Sequence, residues 1–417
     1  MLTMELIVMK CALVMTGGIA KGAYQAGVIK SFAENKIKPS VVVGASAGAL
    51  NTGMITKLLV EDNFTPEQVD EQIIKGWLRE TSMLTLWGKG DIRKSDTIRN
   101  IFGDVNSNPF LLIRRLANLQ LDVWNRLKVL LSLSFLAIFN NDSIIEALER
   151  NMRTPSKIAN DLICAVSLTD LLGTTEYIDG SPINNYGEFV TFNFRKGQEK
   201  DLDSQFKLFR QIIQASGSLP GMFPPAQFDL HGTGKKRMYV DGGITKNAPF
   251  GRAIKLDPEI QHIFIVPTTT VTKPILNEID TFPSVVGQVY EIIVTKDIAN
   301  DYRKVMQINQ KIKLLSEILE RSKKGTVIDN KRNHDMCILG GFKGIEDFLS
   351  KRCVEIIFIE PDYPLEGDPF AAIYRKDRKY LLDSYIKHGY QKGNRVLKEF
   401  ICRQEAEKKA TELDLSA

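Results

Sequence analysis

Histidine is scarce in this 417-residue chain, which has His231, His262, His334 and His388 and no other. His231 falls in a Gly- and Lys-rich turn, His262 opens a strand-like run, His334 lies in a polar stretch and His388 on a charged helical pattern. None stands in a turn suited to a Ser-His-Asp triad. The five cysteines (Cys11, Cys164, Cys337, Cys353 and Cys402) are widely separated and form no CxxC pair. Neither a zinc site nor a disulfide framework is expected, and free thiols in a reducing compartment fit the pattern. Long apolar runs are missing too. Val129–Phe139 is too short and too serine-punctuated to span a bilayer. The opening MLTMELIVMK has no basic flank and is interrupted by Glu5 and Lys10, so no signal peptide is expected. A cytoplasmic location follows as the expectation. The net charge of +5 comes from 55 basic against 50 acidic residues. With no basic stripe interleaved with aromatics, nucleic acid is not an expected partner. Repeats and low-complexity linkers are absent as well.

What is present is an ordinary folded composition, 43% hydrophobic and 25% charged. The first hundred residues alternate strand-like and helix-like segments. Cys11–Met15 is a short apolar run that stops at Thr16-Gly17-Gly18, and a helical pattern follows from about Lys21 to Asn35. Val41–Val43 is β-branched throughout and stops at Gly44, with another helix beginning after Ser46. Strand, turn and helix repeated in this order predict a mainly parallel sheet with helices on its faces. Further strands are predicted over Asp161–Leu168, Arg237–Val240, Gln261–Val266 and Val354–Ile359. Beyond Pro283 a charged helical segment runs to about Lys324, and a long helix is expected from about Arg375 to Glu407. The domain expectation is a catalytic unit over 8–275 with a helical insertion at about 109–150, a mostly helical region over 276–408, and a tail over 409–417.

Gly44-Ala45-Ser46-Ala47-Gly48 is a GxSxG pentapeptide placed directly after a β-branched run. A nucleophile on a sharp strand-to-helix turn needs small neighbours, because its backbone is strained and nearby atoms crowd it. Every flanking position here is Gly or Ala. The glycine-rich turn Thr16–Gly22 admits three readings. A dinucleotide site is disfavoured because Ile19 breaks G-x-G-x-x-G and no acidic residue follows at the right distance. A phosphate loop is disfavoured because Lys21 precedes Gly22. An oxyanion hole built from Gly17, Gly18 and Ile19 and facing the serine is the one reading that uses both motifs. For a base, Asp241 ends a strand and is followed by Gly242 and Gly243, which let the chain turn.

Four blocks together resemble the patatin-like phospholipase family: LVMTGGIAKGAYQAGV (Leu13–Val28), VGASAGALN (Val43–Asn51), ASGSLPGMFPP (Ala215–Pro225) and YVDGGITKNAP (Tyr239–Pro249). Weaker similarity extends from about residue 10 to 400. The resemblance implies a three-layer α/β/α sandwich, with the C-terminal helical part as an extension. It also implies a Ser-Asp dyad that cleaves acyl esters of lipids, with Ser46 as nucleophile, Asp241 as base, and no cofactor or metal. Lys21, Gly22, Gly44, Gly48, Gly242 and Gly243 are the residues expected to support the motifs. Lys21 sits at the start of a surface helix, where it would steer a lipid phosphate, brace the loop or be solvated. A membrane phospholipid or another acyl lipid is the expected substrate. The apolar stripe over 110–139 is a candidate lid or interfacial helix. Ile19 departs from the family pattern, which usually has a third glycine there. A β-branched residue resists φ > 0, so one oxyanion donor could be misdirected and activity lowered. Two other readings stay open: a Ser-His-Asp carboxylesterase, and a weak or inactive lipid-binding relative.

Overall fold

The computed structural model describes residues 10–81, 141–178, 180–272, 282–323 and 351–416. The candidate lid over 110–139, His334 and Cys337 lie outside the described residues. A single mixed sheet organises the rest. Strands β1 (Cys11–Met15), β2 (Val41–Gly44), β3 (Leu162–Ile178), β7 (His262–Val266) and β8 (Glu355–Phe358) run parallel to their neighbours in the order β3-β2-β1-β7-β8. On the other edge of β3, β4 (Ser181–Phe194) pairs antiparallel, while β6 (Arg237–Asp241), with β5 (Ala226–Phe228) beyond it, pairs antiparallel with β3 just past the end of β2. The strand predicted over Asp161–Leu168 is longer than expected: β3 continues to Ile178 before β4 returns beside it as a long ribbon.

Alternation along β1 explains the layers. Cys11, Leu13 and Met15 enter one core, while Ala12 and Val14 enter the other, as a two-residue side-chain period requires. With both faces covered, the strand reads as continuously apolar. The first core packs under α1 (Gly22–Glu34), α2 (Ala47–Val60), α6 (Leu202–Ser216) and α10 (Arg378–Ser416). The second packs under α7 (Phe250–Leu256) and α8 (Phe282–Lys323). Helix α6 shows how sequence selects its face: Leu202, Phe206, Phe209, Ile212 and Ile213 recur at helical spacing and are all buried. Phe206 and Phe209 pack with tilted rings against Phe194 and Phe192 of β4. Four shorter helices complete the described part: α3 (Pro66–Val69), α4 (Lys75–Glu80), α5 (Asn141–Asn151) and α9 (Ala371–Tyr374). A π-helical turn, Asp70–Ile74, joins α3 to α4.

Two elements beyond residue 276 are integral to this arrangement. β8 extends the sheet edge through β7, and α10 lies along α1 so closely that a Cβ on Gly27 would fall 2.0 Å from the Ile386 carbonyl. No described helix is long and apolar enough to cross a membrane.

Candidate active site

The sheet's parallel strands end together, and the glycine turn and the serine turn follow neighbouring strands β1 and β2. Ser46 occupies the N-cap of α2 with φ 53° and ψ −124°, a strained conformation for a residue with a side chain. Close packing holds it there. A Cβ on Gly48 would lie 2.2 Å from the Met15 carbonyl oxygen, and one on Gly44 would lie 2.3 Å from the Gly48 carbonyl. Backbone thus meets backbone on both sides of the turn, which is why the flanking positions are glycine. Ser46 N–H donates to Ser216 Oγ at 2.9 Å, and Ser216 in turn donates to the Ser167 carbonyl at 2.8 Å.

Ser46 Oγ donates to Asp241 Oδ2 at 2.6 Å. Asp241 ends β6, its own N–H donates to the Ser218 carbonyl, and its Oδ1 accepts from Gly243 N–H at 2.7 Å. Gly242 packs directly on the Ser167 backbone. The block Ala215–Leu219 therefore braces both halves of the pair, Ser216 behind Ser46 and Ser218 behind Asp241. Asp241 is fully buried, and that burial pushes its carboxyl up to about 7, against the Ser46 hydroxyl and the Gly243 N–H, which pull it down.

The glycine turn lies opposite. Gly17 N–H donates to Asn247 Oδ1 at 2.5 Å, and the Gly17 carbonyl accepts from Thr268 Oγ1 at 2.8 Å. Gly18 and Ile19 N–H have no acceptor among the described residues. Ile19 takes φ 52° despite its branched side chain, so the conformation usual for glycine is retained at a strain of about 1–3 kcal/mol. Ala20 N–H donates to the Pro369 carbonyl, and Lys21 N–H closes the turn on the Gly18 carbonyl. Behind the loop, Gln25 donates to the Thr16 and Val266 carbonyls, and Asn51 links Gln25, the Gly22 carbonyl and Trp77.

Lys21 is not on a surface. Its side chain is 3% exposed and pairs at 2.6 Å with Glu291 of α8, itself 6% exposed. The solvated reading is corrected, because α10 covers α1 and leaves its start without a solvent face. The three described histidines sit elsewhere. His388 Nε2 accepts from Asp362 N–H, His262 meets Glu355, and His231 lies 3.6 Å from Glu188.

A cavity of about 150 Å³ lies beside Ser46 and is lined in part by Ile19. Its walls are apolar, formed by Leu50 and Met54 of α2, Trp77 of α4, Leu148 of α5, and Leu219 and Phe223 after α6. No group of three or more metal-ligating side chains occurs among the described residues.

The patatin-like phospholipase family model matches residues 13–254, more than half of the chain. The chain belongs to the patatin-like phospholipase family. Membership of this phospholipase family supports lipid acyl hydrolysis in general terms. Among solved structures, VipD from Legionella pneumophila is similar, with 14% sequence identity over 94% of this chain and 67% of that one, at a TM-score of 0.37. No curated protein matches the chain. Four polar residues at this patatin-like site escaped the sequence reading as partners: Ser216, Asn247, Tyr290 and Glu291. Ser216 and Asn247 lie inside the recognised blocks, whereas Tyr290 and Glu291 lie beyond every motif.

Proposed function

We propose that the protein is a lipid carboxylester hydrolase that works through an acyl-Ser46 intermediate, with Asp241 as its single acid-base partner. The observation that carries this reading is the 2.6 Å contact between Ser46 Oγ, on a strained strand-to-helix turn, and the buried Asp241 carboxylate. In acylation, Asp241 Oδ2 takes the proton of Ser46 Oγ as Oγ attacks the ester carbonyl. The carbonyl π pair becomes an oxyanion, met by Gly18 and Ile19 N–H and by the N-terminal turn of α2. Collapse breaks the bond to the leaving alcohol, whose oxygen takes the proton from Asp241. A water then gives a proton to Asp241 while its oxygen attacks the acyl carbon, and Ser46 Oγ recovers that proton when the acid leaves.

This assignment of the hole leaves Gly17 out, because its N–H is engaged by Asn247. The apolar cavity suits an acyl chain, which supports a lipid over a small polar ester.

A fluorophosphonate probe tests the nucleophile. Labelling of wild type, located at Ser46 by peptide mass spectrometry and abolished in Ser46→Ala, is expected. An unlabelled wild type, with and without lipid vesicles, would sink the reading and favour a non-catalytic lipid binder. Ile19→Gly tests the oxyanion loop with the same probe. Because Ile19 already holds φ 52°, the labelling rate should change by less than about threefold. A rise of the order of a hundredfold, the size of one recovered oxyanion donor, would mean that Ile19 blocks the hole after all.

A further inference from the structure

Tyr290 belongs to α8, outside residues 13–254, yet its ring enters the catalytic cluster. It is 6% exposed. Two glycines make room for its hydroxyl. A Cβ on Gly17 would lie 1.9 Å from Tyr290 Oη and 2.7 Å from Ser46 Cβ. A Cβ on Gly243 would lie 2.8 Å from the same oxygen and 2.9 Å from Asp241 Oδ1. The phenol oxygen is thus wedged between the oxyanion loop and the turn after Asp241, against both members of the dyad. The register of α8 is fixed independently. Asp297, two turns along the helix, accepts from Asn247 and Ala248 N–H at 2.9 and 3.0 Å, and Lys246 bridges Asp297 and Asp301.

Donor and acceptor roles give the hydroxyl a direction. Asn247 Oδ1 is committed to Gly17 N–H, so its Nδ2 is a donor, and it approaches Tyr290 Oη at 3.4 Å. The tyrosine oxygen therefore accepts from Asn247, and its one proton is free to point toward the dyad. Ser46 Oγ has directed its own proton to Asp241 and keeps its lone pairs available. We propose that Tyr290 is a third catalytic group, donating from Oη to Ser46 Oγ so that a one-way chain Asn247→Tyr290→Ser46→Asp241 directs the serine proton toward Asp241. As that proton leaves, the Tyr290 hydrogen bond stabilises the charge growing on Oγ. Tyr290 keeps its own proton throughout, and the transfer between Ser46 Oγ and Asp241 Oδ2 balances by itself. Burial and the neighbouring Asp241 carboxylate push the phenol well above its usual value, outweighing Ser46 and Asn247, so Tyr290 stays a neutral donor at working pH.

This inference rests on the Ser46–Asp241 reading, and one experiment separates their fates. Fluorophosphonate labelling rates and short-chain ester kinetics are measured on the full chain, wild type and Tyr290→Phe. Loss of a hydrogen bond to a developing charge predicts labelling and kcat about 10- to 100-fold slower. KM should stay within about threefold, because Tyr290 does not line the apolar cavity. Wild-type labelling with Tyr290→Phe equally fast, or faster, overturns the role of Tyr290 and leaves the dyad standing. An unlabelled wild type overturns both. If Tyr290→Phe folds poorly, 3-fluorotyrosine at position 290 keeps ring and hydroxyl while strengthening the donor. Labelling a few-fold faster is then expected, and an unchanged rate overturns the proposal.

Discussion

At pH 8, Asp241→Asn is expected to lower ester turnover by roughly 10³-fold while raising the melting temperature by a few degrees. The rate loss lies within the range of roughly 10²–10⁴ that a positioned base contributes. The gain in stability has a separate origin. The Asp241 carboxyl titrates near an ordinary carboxylate value in the unfolded chain, but burial raises it to about 7 in the fold. Between those values the folded state holds a proton that the unfolded state has released. Stability therefore falls as pH rises from about 4 through about 7, and the penalty is complete above that. A shift of this size corresponds to at most ~4 kcal/mol. Asparagine carries no such charge and can still accept from Gly243 N–H and donate to Ser46 Oγ. Melting curves of the two proteins should converge near pH 4 and separate at pH 8, with the variant the more stable. Equal separation at both values would show that the buried charge of Asp241 is not what costs stability. In wild type, with Asp241 as the proposed base, the same ionisation is expected to make the rate rise with pH through about 7, because only the carboxylate could take the serine proton.

That a buried carboxylate at this site weakens its own fold was half legible in the sequence. Val41–Val43 before GxSxG, and Tyr239–Val240 before Asp241, are runs whose burial on both faces follows from their apolar continuity. The turns that end them need glycine where backbone meets backbone. Strand, turn and the serine at its apex could thus be read together, because each is determined within a few residues. Tertiary contacts were not legible in the same way. Lys21 reads as a surface residue until α10 covers α1, an outcome decided by Gly27, Gly389 and Gly393 some distance away in the chain. Ser216 reads as a turn residue, but it is the last residue of α6, and its hydroxyl holds the Ser46 N–H. Tyr290 and Glu291 sit on a long charged helix in which no local pattern separates a tyrosine aimed at a site from one that packs. Their meaning depends on the loop that Asp297 grips.

The Lys21–Glu291 pair has an equally large expected effect. Lys21→Met leaves the Glu291 carboxylate buried without its cation, and breaking a buried pair from one side costs about 3–5 kcal/mol. Glu291→Met leaves the mirror-image problem. The double variant removes both charges and fills the space with flexible apolar chains, so most of the lost stability should return, as a double-mutant cycle in urea would show. The same cycle separates a brace from a phosphate ligand. A lysine that recognised a lipid phosphate would leave the double variant slow on phospholipid yet normal on a neutral ester of the same acyl chain. A lysine held at 3% exposure against Glu291 has no free charge to offer a head group. The ratio of phospholipid to neutral-ester hydrolysis should therefore match wild type in the double variant. A selective fall in that ratio would return Lys21 to the substrate and make Glu291 its resting counter-ion.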